Sequence, residues 1–193
     1  MLALILAVLK LRNKIMNNST SLRTSCYKFD PMHTSVLWQC SHHGFSSPSG
    51  LFTMIEGAIY IDDSFPETAA FTVTIDINQL STGIAKFDKH LKSEDFFDGK
   101  RFPNAYFEST KVEIMNKNEA KVSGFLTLHG ISRAEIIYVK LNKIGEHPKT
   151  HKKVIGFSAY TTVYRSHYGL NNMLPGIADE VILTIQSEAE LKD

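Results

Sequence analysis

The chain reads as an all-β protein: an eight-stranded antiparallel β-barrel with a short helical lid segment. Three observations predict this. Apolar and polar residues alternate with period two in about eight separate runs. Turn-forming clusters separate those runs. One connection, Asp88 to Asp98, carries a Phe pair inside an otherwise charged stretch, with Phe102-Pro103 just after it. A connection needs no such apolar anchors if it only has to turn the chain, so this one is expected to fold over a core or over the mouth of a cavity.

The runs justify themselves in order. Val36, Trp38, Cys40 and His42 alternate with Leu37, Gln39, Ser41 and His43. The stretch 51–61 is apolar enough for a second strand. Phe71, Val73, Ile75 and Ile77 form one face of a third. Stretch 105–114 follows, and then Val122, Gly124, Leu126 and Leu128 on one face. Stretch 136–141 is a further strand. Phe157, Ala159, Thr161 and Val163 share a face, as do Val181, Leu183 and Ile185. The helical window is 83–93, where Ile84, Phe87 and Leu91 fall at helical spacing. Ser46-Ser47-Pro48-Ser49-Gly50, Asp62 to Pro66, Asn116-Lys117-Asn118 and Gly145 to Pro148 are the turns. Closing such a sheet removes its edges, and an eight-stranded barrel is either filled by side chains or holds one small ligand. Gly124, on an inward-reading face, leaves room there.

The chain has 193 residues, which fits one domain, residues 26–193, behind an N-terminal segment, residues 1–25. Leu2 to Leu9 is an apolar run too short for a bilayer, which needs ~20 residues. Its positive charges, Lys10, Arg12 and Lys14, follow the run instead of preceding it. The segment is either a degenerate export signal or an artefact of a start site that really lies at Met16. A net charge of +1, with no basic stripe, excludes nucleic acid as a partner. Cys40 reads as a small buried hydrophobe, and its pairing with Cys26 stays open.

The chemical constellations are weak. His42 and His43 point to opposite faces of a strand, so they do not form one metal site. The other histidines show no metal-ligand spacing, and none is expected to bind a metal. Asp88, Glu94, Asp95 and Asp98 read as helix caps, solvated charges and partners of nearby Lys and Arg. Arg165 continues the inward phase of the 157–163 run and reaches the barrel end. There it either pairs with Asp88 or another lid carboxylate, or clamps an anionic head group. Catalysis would need His42 or His90 within reach of a carboxylate over an open pocket, and no recognisable motif supports it. The chain is not expected to be an enzyme.

Four ordered motifs resemble the YceI-like family of polyisoprenoid-binding proteins. They are His33-Thr34-Ser35-Val36 with the Gly44, Gly50-x-Phe52 and Gly57 that follow; Asp88-x-His90-Leu91-x-Ser93-x-Asp95-Phe96-Phe97-Asp98 with Phe102-Pro103; Val122-x-Gly124-x-Leu126-Thr127-x-His129-Gly130; and Arg165-x-x-x-Gly169. The resemblance runs from about Tyr27 to Ala189. Phe87 and His167 depart from it, standing where Arg and Asp are usual. The resemblance implies a lipocalin-like barrel with a long apolar cavity, and a carrier or sequestering role for an isoprenoid lipid such as a polyprenyl quinone or polyprenyl phosphate. It implies no cofactor beyond that bound lipid. It also favours the periplasm, with the cytoplasm the alternative if translation starts at Met16. A second copy of the chain, as a homodimer, is an open partner.

On this reading Val36, Trp38, Cys40, Phe71, Val73, Ile75, Leu126, Phe157, Ala159 and Val163 line the tail tunnel. Leu91, Phe96 and Phe97 form the lid, and His42, Asp88 and Arg165 stand near the head. Ten buried methylenes would supply ~8 kcal/mol before ordering costs, so few polar contacts are needed. The competing expectation is a filled barrel with no ligand, acting as a stress-response or protein-interaction module.

Overall fold

The computed structural model describes residues 24–62 and 64–192. The N-terminal apolar run, Met16 and the basic residues behind it lie outside them. Strands β1 (Thr24–Phe29), β2 (Ser35–His42), β3 (Ser49–Phe52), β4 (Glu56–Asp62) and β5 (Phe65–Asp76) come first. A 3₁₀ turn, Ile77–Gln79, and helix α1 (Ala85–Leu91) occupy the connection to β6 (Asn104–Asn116). Then come β7 (Glu119–Leu128), β8 (Ile131–Glu146), β9 (Lys153–Tyr164), a 3₁₀ turn at Arg165–Tyr168, and β10 (Ile177–Leu191).

The strands form one antiparallel sheet in the order β1-β4-β5-β6-β7-β8-β9-β10-β2-β3, closed by pairing of β1 with β10. β10 is long enough to hold two partners on one edge. Its first half pairs with β2 (Ile185 opposite Val36) and its last residues pair with β1 (Ala189 opposite Phe29). β1 and β2 therefore act as one kinked strand, as do β3 and β4, and the result is a closed eight-stranded barrel with one short helix. The stretch 51–61 is thus two strands, not one. The chain breaks at Met54, whose φ of 55° is left-handed and incompatible with a continuous strand. β8 runs much further than 136–141 because Tyr138 to Glu146 pair with β9 even where polar residues face solvent.

Phase decides the faces. Along β9, Ile155, Ala159, Thr161 and Val163 are buried, while Tyr160, Thr162 and Tyr164 are exposed. The interior divides by height. At one end, Tyr27, Ile59, Ile155 and Ala189 form a closed cluster with Phe71 and Phe157 packed on it. Phe71 of β5 and Phe157 of β9 meet edge to face across the barrel, ring centroids 6.4 Å apart. Beside them, Ala69, Phe107, Val112 and Val122 form a second filled cluster. The other end is capped by the β5–β6 connection: Leu91 is buried against the cluster of Val36, Trp38 and Phe52. Among the described residues no helix is long and apolar enough to cross a membrane.

Candidate functional site

Under that connection lies a cavity of about 510 Å³. This sits within the ~300–1,000 Å³ usual for small-molecule sites. Its walls are almost wholly apolar, for a simple reason. β2, β9 and β10 each present inward-phase side chains there: Val36, Trp38 and Cys40, then Val163, then Ile177, Val181 and Leu183. Ile75, Ala105, Leu126 and Leu128 close the opposite wall. Phe87, Leu91, Phe96 and Phe97 form the roof.

The roof is packed, not draped. Phe97 meets Phe52 edge-on at 5.8 Å, and Phe87 meets Trp38 at 6.5 Å. Phe96 meets His90 edge-on at 4.9 Å. The Phe97 N–H donates to the Leu91 carbonyl and the Gly99 N–H to that of Lys92, which fixes the chain after α1. Gly50 lets the Trp38 ring lie flat on β3, since a Cβ there would come within 2.8 Å of its Nε1. That buried indole N–H has no hydrogen-bond partner among the described residues.

Eleven of the sequence-derived positions line this cavity: Val36, Trp38, Cys40, His42, Ile75, Leu91, Phe96, Phe97, Leu126, Val163 and Arg165. Five do not. Phe71 and Phe157 fill the far end instead, and Val73 and Ala159 pack in the walls between. Asp88 turns away from the interior. Its Oδ1 accepts from both the N–H and the hydroxyl of Thr82 at 2.6 Å. These bonds from Thr82 hold its carboxyl below the usual carboxylate range.

Arg165 does reach inward and is 6% exposed, but it pairs with no lid carboxylate. Its guanidinium donates to four backbone carbonyls: Ala178 and Ile177 at 2.8 Å, Leu170 at 2.5 Å and Asn172 at 2.9 Å. Its rigid fork of donors is suited to gathering a loop in this way. The carboxylate beside it is Asp179, which accepts from the N–H and hydroxyl of Ser166 at 2.8 and 2.7 Å. Burial pushes the Asp179 carboxyl up, but the two Ser166 bonds and the Arg165 charge outweigh it and leave it lowered. Arg165 thus shapes the cavity end by holding residues 170–178 against it.

Gly124 also differs from expectation. A Cβ there would collide with the Phe107 ring and the Glu108 carbonyl, so the missing side chain makes room for Phe107 and not for a ligand. The two cysteines are free thiols, Cys26 half-buried in β1 and Cys40 buried in β2. Cys40 donates weakly to the Ala178 carbonyl, and burial raises its thiol.

Several lining residues escaped sequence reasoning. Val181 and Leu183 carried the signal, since their alternation was legible. Phe52 and Ala105 sat in stretches read only as strands. Met173 lies on a connection, where no periodicity assigns a direction, and His90 lies on α1 outside the Ile84, Phe87 and Leu91 stripe. The departure at Phe87 has a clear consequence: an aromatic ring packs on Trp38 inside the cavity, where an Arg would carry charge. His167 is exposed and lies against Tyr164 at 5.4 Å.

Known proteins resemble this chain in sequence and fold. A family model described as YceI-like domain matches residues 27–189. A UPF0312 protein of Pseudomonas putida is 33% identical over 158 residues, covering 81% of each chain. A UPF0312 protein of Pseudomonas aeruginosa is 32% identical over 164 residues, 84% of this chain and 85% of the relative. Among solved structures, BcnA of Burkholderia cenocepacia superposes with TM-score 0.75 at 20% identity, covering 83% of this chain and 98% of that one. The YceI protein of Campylobacter jejuni gives TM-score 0.69 at 28% identity, covering 77% and 88%. A polyisoprenoid-binding domain from Saccharophagus degradans gives 0.67 at 14% identity, covering 86% and 98%. Taken with the closed barrel and its roofed apolar cavity, these matches establish that the chain belongs to the YceI-like family.

Proposed function

We propose that this barrel binds and carries a long-chain isoprenoid lipid, of the polyprenyl quinone or polyprenyl phosphate type, with its tail in the 510 Å³ cavity. The observation that carries the reading is that cavity: nearly all apolar and roofed by aromatics. Such walls reward area and not polarity, at ~0.8 kcal/mol per methylene buried. The likeness to a polyisoprenoid-binding domain supports the ligand class. The role proposed is binding and not catalysis, a reading supported by the likeness to a polyisoprenoid-binding domain and by the almost wholly apolar lining. We place the protein in the periplasm, or in the cytoplasm if translation starts at Met16; cell fractionation decides between them.

One observation favours the filled-barrel alternative: Phe71 and Phe157 do meet across the axis. They fill only the far half. Phe157 and Val163 are six residues apart on one strand, about 20 Å along it. The space around Val163 stays open.

Trp38 is the one Trp of the chain and lines the cavity, so it reports directly on occupancy. Titration with a polyprenyl quinone should quench its emission saturably at one ligand per chain. Emission that stays constant, or that falls linearly without saturating, would refute the reading.

A further inference from the structure

We propose that the rim of the cavity is a docking face for a phospholipid bilayer, with Phe45 as the side chain that inserts. The inference rests on the lipid-binding reading above, because a carrier of such a ligand must meet a membrane to load or deliver it.

The cavity opens where its lining becomes exposed, at Ser46, His90 and Met173. Phe45 stands beside this opening, between the lining residues His42 and Ser46, and is 92% exposed. A fully exposed Phe has no reason in the fold. It is held there by a tight turn: the His42 N–H donates to the Ser46 carbonyl at 2.8 Å, and the Phe45 N–H to that of His42 at 3.0 Å. His43 and Gly44, with φ of 53° and 72°, make the reversal.

The turn is anchored to the neighbouring rim. The His43 N–H donates to the Gly176 carbonyl at 2.6 Å, and the Ile177 N–H to that of Met173 at 2.9 Å. A Cβ at Gly176 would collide with the His43 ring, so only Gly lets the two loops approach this closely. Two exposed apolar side chains, Phe45 and Met173, the latter 48% exposed, therefore stand on loops bonded to one another. Lys86 and Lys89 lie exposed on α1, where they can meet phosphates, but Glu94 and Asp95 follow on the same connection. The rim is of mixed charge, so apolar insertion, and not electrostatic attraction, carries binding.

The test is co-sedimentation of the full chain with vesicles of phosphatidylethanolamine and phosphatidylglycerol, at low and high salt. Phe45→Ser is the test variant. Met115→Ser is the control, since Met115 is 59% exposed on the hairpin at the opposite barrel end. The wild type and Met115→Ser should partition equally, with little salt dependence, and Phe45→Ser should partition roughly tenfold less. Equal partitioning of Phe45→Ser and wild type, loss with Met115→Ser, or no partitioning by the wild type would overturn the proposal. Trp38 quenching on the same samples separates the two readings. Quenching without partitioning refutes the docking face alone. Partitioning that depends on Phe45, without any quenching, refutes the cavity reading and leaves the docking face standing.

Discussion

Gly124→Ala tests what the space beside β7 is for. The backbone there is ordinary strand, so alanine is conformationally permitted and even lowers unfolded-state entropy, by about 0.4–1 kcal/mol. The new Cβ, however, would sit inside both the Phe107 ring and the Glu108 carbonyl. Phe107 is 7% exposed and packed in the cluster of Ala69, Val112 and Val122, so the ring has nowhere to go. Overpacking of this kind costs about 1–3 kcal/mol, which outweighs the entropic gain. A net loss of about 1–2 kcal/mol should lower Tm by about 2–8 °C for a chain of this size. Phe107→Leu vacates the ring's share of the contested space and leaves the Glu108 carbonyl in place, so the double variant should be more stable than the sum of the single losses by about 1 kcal/mol. Thermal and urea unfolding of the four proteins measures this. Strict additivity, with Gly124→Ala at wild-type stability, would refute the packing argument and return Gly124 to the ligand space.

Further outcomes are expected at the roof and the mouth. Phe96→Ala with Phe97→Ala removes two roof rings that pack on His90 and Phe52, and ligand release in stopped-flow should quicken at least tenfold; an unchanged off-rate would remove the roof role. Arg165→Lys cannot reproduce a fork to four carbonyls, so it should lose about 3 kcal/mol on chemical denaturation, and retention of full stability would show that the clamp is dispensable. Asp179 has a lowered carboxyl in the folded state, so its contribution is present above the unfolded carboxylate range, ~3.9, and fades as pH falls through the lower folded value. The Tm gap between wild type and Asp179→Asn should therefore be open at neutral pH and close in strong acid; a gap that widens on acidification would contradict the assignment.

The barrel was legible because alternation reports which face a residue takes. It does not report height along the axis. Phe157 and Val163 share one phase, yet the first plugs the far end and the second lines the cavity. Phe71 and Ile75 divide in the same way. Height depends on register and shear between strands, which no single run encodes. The partners of Asp88 and Arg165, though not the inward reach of Arg165, were misjudged for a related reason. Both lie where strands give way to turns, and there local backbone groups, Thr82 in one case and the 170–178 carbonyls in the other, out-competed the distant partner. Gly124 was read as empty because the ring that fills its space belongs to the neighbouring strand. The Phe-rich connection read correctly as a cover because its apolar residues had no other use.

Native mass spectrometry of protein purified without detergent, followed by organic extraction and lipid identification, tests the central claim most directly. One polyprenyl-type lipid per chain is expected, lost when the roof rings are removed. A clean ligand-free mass that persists after incubation with polyprenyl quinones and polyprenyl phosphates would contradict it.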